Sequence, residues 1–112
     1  MKKILVVNND LDTMTLLKSW LEKKSYKVKY TGEQDRVPNL VKEFNPGIVL
    51  VDVLQKDVIE QLKNDVDTSA IPVLLMTGYT VRQKNPQVLA DDTIEKPFNL
   101  NLLEKKIEKL IA

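Results

Sequence analysis

A chain of 112 residues, with 17 Lys and Arg against 16 Asp and Glu and a formal charge of +1, is the size of a single domain spanning 1–112. It contains no cysteine and no histidine, which excludes disulfides, thiolate or histidine metal sites, and Ser-His or Cys-His catalysis. The balanced charge carries no nucleic-acid footprint and no apolar stretch has the length of a membrane span or signal peptide, so a cytoplasmic domain without nucleic-acid or membrane partners is expected.

In chain order, Ile4-Leu5-Val6-Val7 is an unbroken apolar run, the pattern of a strand buried on both faces, and it ends in Asn8-Asn9-Asp10. Asp10 or Asp12 is placed to cap the following helix, whose apolar face is predicted to carry Leu11, Met14, Leu17 and Leu21. Leu16 and Trp20, four apart and off that stripe, suit either the margin of the core or a docking face. Tyr26-Lys27-Val28-Lys29-Tyr30 alternates and predicts an edge strand. After Gly32, a short helix with Pro38 in its first turn carries Val37, Leu40, Val41 and Phe44 and stops at Asn45-Pro46-Gly47.

Ile48-Val49-Leu50-Val51-Asp52 is the second fully apolar strand and ends on a carboxylate. A helix is predicted through Val58, Ile59, Leu62 and Val66, then a buried strand over Ile71-Pro72-Val73-Leu74-Leu75-Met76 that ends at Thr77-Gly78. Between Tyr79 and Asp92 only Val88-Leu89-Ala90 has a helical look. Thr93-Ile94-Glu95 is a short strand before Lys96-Pro97. The last helix opens on Asn99 as N-cap, with Phe98 and Leu103 as a hydrophobic staple, and turns Leu103, Ile107, Leu110 and Ile111 to the core.

Alternating strands and helices predict an α/β, flavodoxin-like three-layer sandwich: a five-stranded parallel sheet in the order 2-1-3-4-5 with about five helices. In such a sheet chemistry gathers at the carboxyl ends of the strands, which here carry Asn8-Asn9-Asp10, Asp52, Thr77 and Lys96. A carboxylate, a hydroxyl and an ammonium together suit a phosphoryl group, with the carboxylate as nucleophile and the other two binding phosphoryl oxygens.

On Lys2-Lys3-Ile4-Leu5-Val6-Val7, Pro46 to Val53, Ile71 to Thr77 and Lys96-Pro97-Phe98, in that order, the chain resembles the receiver domain of two-component response regulators along nearly its whole length. The resemblance implies that Asp52 accepts a phosphoryl group from a histidine kinase or phosphotransfer protein. It also implies that Thr77 and Lys96 bind that group, and that the bond between Lys96 and Pro97 is cis. Family members usually bind Mg²⁺ with an acidic pair after the first strand, the phosphoacceptor and a backbone carbonyl. The corresponding positions here are Asn8, Asn9, Asp52 and Leu54, with Asp10 as a possible substitute donor. Two missing charges beside a divalent ion remove several kcal/mol of attraction at an effective dielectric of about 20, so Mg²⁺ is expected to bind weakly or not at all.

Two further departures concern output. Thr93 stands where the family usually has an aromatic residue, and the loop Leu54-Gln55-Lys56 is trimmed and lacks the family's proline and glycine. Two functions compete. In one, a stand-alone receiver is phosphorylated on Asp52 and signals by docking to a downstream protein. In the other, a pseudo-receiver serves as a phosphorylation-independent interaction module, as Asn8-Asn9, Thr93 and the short loops suggest. No enzyme is expected: phosphatases with an aspartate nucleophile need a second aspartate on the first strand, and no glycine-rich loop follows that strand to cradle a nucleotide or flavin.

Overall fold

The computed structural model of the chain describes residues 2–52, 55, 57–78, 89–96 and 99–111, the side chain of Lys96 aside. In order these form β1 (Lys3–Val7), α1 (Leu11–Lys23), β2 (Lys27–Thr31), a 3₁₀ turn (Gln34–Arg36), α2 (Val37–Phe44), β3 (Ile48–Asp52), α3 (Asp57–Asn64), β4 (Val73–Gly78), β5 (Asp92–Lys96) and α4 (Leu100–Ile111). All strand pairs are parallel, and the sheet runs β2-β1-β3-β4-β5, the flavodoxin-like order expected. Four helices lie among the described residues; a fifth was expected around 88–90, most of the preceding segment lies outside them, and Leu89 and Ala90 are not helical.

Strand alternation divides the core into two layers. Ile4, Val6, Ile48, Leu50, Leu74, Met76 and Ile94 pack under α1 and α4 through Met14, Leu17, Leu21, Leu103 and Ile107. Leu5, Val7, Val49, Val51, Val73 and Leu75 pack under α2 and α3 through Val37, Val41, Phe44, Val58, Ile59 and Leu62. Right-handed crossovers between parallel strands demand helices on both faces, and each buried aliphatic side chain contributes about 1.5–3 kcal/mol. This explains why β1 and β3 lack polar alternation while β2, at the edge, keeps Lys27 and Lys29 in water.

The caps follow the sequence. Asp10 is the N-cap of α1, and Asn99 Oδ1 accepts the backbone N–H groups of Asn101 and Leu102 at 2.7 and 3.3 Å. Asn45 ends α2 in the left-handed region at φ 53, and Lys3 Nζ donates to the Phe44 carbonyl at 3.2 Å. At the amino end of the sheet, Lys63 Nζ donates to the carbonyls of Ser69 (3.2 Å) and Ile71 (2.9 Å) and to Asp91 Oδ2 at 2.8 Å. The same Asp91 oxygen accepts the N–H of Val73, so one lysine joins α3 to the starts of β4 and β5.

Two helical assignments need correction. Leu11 is 63% exposed, because the first turn of α1 overhangs the end of the sheet. Val66 is 88% exposed: α3 stops at Asn64, where Asp65 Oδ1 takes the N–H of Asp67 and the Asp65 carbonyl takes those of Thr68 and Ser69, a local turn that displaces the helix. The Asp91 N–H donates to the Val73 carbonyl at 2.9 Å, which draws Asp91 against β4 just before β5 begins. Trp20 packs on the margin of the first core layer, with Lys24 Nζ 5.8 Å from its ring centroid, while Leu16 stays exposed. Phe98, the other half of the expected staple, lies outside the described residues.

Candidate functional site at the strand ends

Asp52 ends β3 and is only 6% exposed although it is a carboxylate. It pairs in register with Met76 of β4, and alternation from Leu50 puts its side chain on the α1 and α4 face. Asn8 stands one residue past the paired Val7 and Val51, so it lies alongside Asp52 on the neighbouring strand, on the same face as Val6. Sheet geometry separates such neighbours by about 5 Å.

Asn8 is 1% exposed and held from two sides. Its backbone N–H donates to the Thr31 carbonyl at 3.0 Å, and its Oδ1 accepts the N–H of Asp10 at 2.7 Å. The second contact fixes the carboxamide, since turning it over would set an NH₂ group against an N–H. Nδ2 is therefore the free end of the side chain, and it is buried without an acceptor. Asp10 is occupied as a cap: Oδ1 accepts the Asp12 N–H at 3.2 Å and Oδ2 accepts the Thr13 hydroxyl at 2.5 Å.

Asn9 is exposed and lies over Gly32, where a Cβ would come within 3.1 Å of the Asn9 Cβ and 3.3 Å of the Asn8 carbonyl oxygen. A side chain at Gly32 would push the loop after β1 away by a few tenths of an ångström. Asn9, Gly32, Glu33, Gln34, Asp35 and Gln55 line an open cavity of about 610 Å³. Gln55 is 3% exposed and donates from Nε2 to the Gly32 carbonyl at 2.8 Å, while its Oε1 has no donor. Nothing in the sequence marks Gln55 as the bolt between these two loops, because a lone glutamine in a short loop has no distinguishing pattern.

Thr77 pairs with Glu95, and its hydroxyl donates to the Ile94 carbonyl at 3.4 Å. Gly78 pairs with Lys96, which closes β5 two strands from Asp52 and two residues further along. That places its Cα roughly 12 Å from the Asp52 Cα by strand spacing and rise. The Lys96 side chain, the Leu54 carbonyl and the bond to Pro97 lie outside the described residues. Thr93 is exposed, with its N–H on Asp92 Oδ1 at 2.8 Å.

The arrangement thus puts Asn8 and Asp52 side by side, with Thr77 and Lys96 ending the strands beyond. For a hard divalent cation the fit is poor. The oxygen of Asn8 is engaged, its free atom is a donor, and Asp10 caps a helix. Among the described residues no group of three or more acidic side chains is placed to hold a metal ion.

Comparison with known proteins bears on this geometry. A family model described as the response regulator receiver domain matches residues 4–108. The protein PilH of Pseudomonas aeruginosa is 30% identical over 122 residues, which cover 100% of this chain and 99% of PilH. The transcriptional regulatory protein CpxR of Escherichia coli K12 is 29% identical over 116 residues, 99% of this chain but 50% of CpxR. The chain likewise spans about half the length of several other curated relatives it matches. A crystal structure of a putative response regulator from Chloroflexus aurantiacus superposes with a TM-score of 0.88 at 19% identity, covering 99% of this chain and 98% of that one.

Proposed function

The chain belongs to the response regulator receiver family of two-component signalling, and we propose that Asp52 is its phosphoryl acceptor, with the modified domain signalling by docking to a downstream protein. One observation supports this above the others: a nearly buried aspartate closes the central strand, on the sheet edge where Thr77 and Lys96 also end their strands. In the proposed reaction an Asp52 carboxylate oxygen attacks the phosphorus of a phosphohistidine on a histidine kinase or phosphotransfer protein. The P–N bond breaks, an acyl phosphate forms on Asp52, and the imidazole leaves and takes up a proton. Thr77 would swing its hydroxyl from the Ile94 carbonyl to a phosphoryl oxygen, and the Lys96 ammonium would pair with another.

Within this reading the domain binds and relays a phosphoryl group and performs no turnover on a free substrate. No helix of the described residues is long and apolar enough to cross a membrane, so its partners are proposed to be proteins rather than lipid. Incubation with acetyl phosphate and Mg²⁺, followed by intact-mass measurement, tests the proposal. A single phosphoryl adduct that disappears in Asp52→Asn supports it, and an unmodified chain, even with a cognate kinase, refutes it.

The second reading is a pseudo-receiver, a phosphorylation-independent interaction module. The uncharged carboxamide of Asn8, with its buried and unpartnered donor, and the exposed Thr93 favour it, because the first withholds a charge the chemistry uses and the second leaves no aromatic ring to move. An unchanged partner affinity in Asp52→Asn would select this reading.

A further inference from the structure

We propose that Asn8 makes the Asp52 hollow reject divalent cations, and that the orientation of one carboxamide is the determinant. The inference deepens the assignment of Asp52 as the site and rests on it. Asn8 is buried, lies beside Asp52 in the sheet, and turns its side-chain oxygen to the N–H of Asp10 at 2.7 Å. What remains is Nδ2, an N–H donor with no acceptor. An N–H donor offers a cation no ligand and repels it, whereas it suits an anionic oxygen brought within its reach.

The neighbouring residues do not restore what Asn8 withholds. Each oxygen of Asp10 accepts a hydrogen bond from the first turn of α1. Asn9 itself adds no charge, and the carboxylates of the cavity it lines, Glu33 and Asp35, belong to the loop after β2 and not to the strand ends beside Asp52. The hollow is therefore suited to hydrogen-bond an oxygen and unsuited to a hard cation, which favours several anionic oxygen ligands.

The substitution Asn8→Asp isolates this effect. An aspartate keeps an oxygen for the Asp10 N–H and turns the orphan donor into a second, charged acceptor, so the loop after β1 keeps its anchor. Calorimetric titration with MgCl₂, alongside thermal unfolding with and without Mg²⁺, is run on the native chain, Asn8→Asp, Asn9→Asp and Asn8→Asp/Asp52→Asn. The native chain is expected to give no saturable heat and no thermal shift. Asn8→Asp is expected to bind at least about tenfold tighter and to unfold at a higher temperature with Mg²⁺, a gain that the added Asp52→Asn removes.

Stoichiometric Mg²⁺ binding by the native chain overturns the inference. So does a gain in Asn9→Asp that is absent from Asn8→Asp. A chain carrying Asn8→Asp that binds Mg²⁺ yet takes no phosphoryl group from acetyl phosphate supports the cation inference and refutes the assignment of Asp52 as acceptor. The two failures are thereby separated.

Discussion

Lys63 shows how much a single side chain holds at the end of the sheet away from Asp52. Its ammonium satisfies two carbonyls and the Asp91 carboxylate, and its side chain is largely shielded from water. Lys63→Met keeps the aliphatic stem and strands those acceptors, so unfolding in urea is expected to show a loss of about 2 kcal/mol. Asp92 offers a smaller, pH-dependent case. Burial works against its charge, but the Thr93 N–H, a Lys106 hydrogen bond at 3.1 Å and the fields of Lys106 and Lys109 outweigh it and hold the carboxyl below its ordinary value. A carboxyl depressed in the fold stabilises above its unfolded pKa of about 3.9 and loses that contribution as pH falls through the folded value. Asp92→Asn is therefore expected to flatten the acid limb of a stability profile by under about 1 kcal/mol, since the pair is partly solvated, and to leave alkaline unfolding unchanged. The identities of Asn8, Asp52 and Thr77 as strand-end residues were legible in the sequence. The amide orientation of Asn8 was not, because it depends on where the Asp10 N–H points after the chain turns into α1.

At the scale of the element, periodicity told most of the truth where a helix lies over the sheet and failed where it passes the rim. Met14, Leu17 and Leu21 are buried as their spacing requires, while Leu11 obeys the same spacing and faces water. Val66 fails for another reason: its place in the pattern assumes that α3 continues, and the Asp65 turn ends it first. Leu17, fully buried beneath α1 and against the first core layer, is a direct test of that layer. Leu17→Ala is expected to cost about 3 kcal/mol in denaturant unfolding, through lost transfer energy and the cavity left behind. Leu16→Ala, one residue earlier and exposed, is expected to change stability by no more than about 0.5 kcal/mol in the same assay.

For the whole molecule, three unbroken apolar runs and one alternating run sufficed to order the sheet, because buried parallel strands and a wet edge strand differ in pattern. The meeting of the strand ends that frame the candidate site was legible to the same extent, since this topology sends the ends of β1, β3, β4 and β5 to one rim. What escaped was the contact between loops, as in the Gln55 bolt to Gly32, which belongs to no periodic element. The order β2-β1-β3-β4-β5 also governs how the chain can be assembled as it leaves the ribosome. Each strand after the first joins an outer flank, so none must wedge between two that are already paired. Until the last arrives, the open flank is Val73-Leu74-Leu75-Met76, a strip of unpaired backbone with apolar side chains that invites association with another nascent chain. β5 closes it with Asp92, Glu95 and Lys96, so the segment that completes the sheet also makes its flank charged.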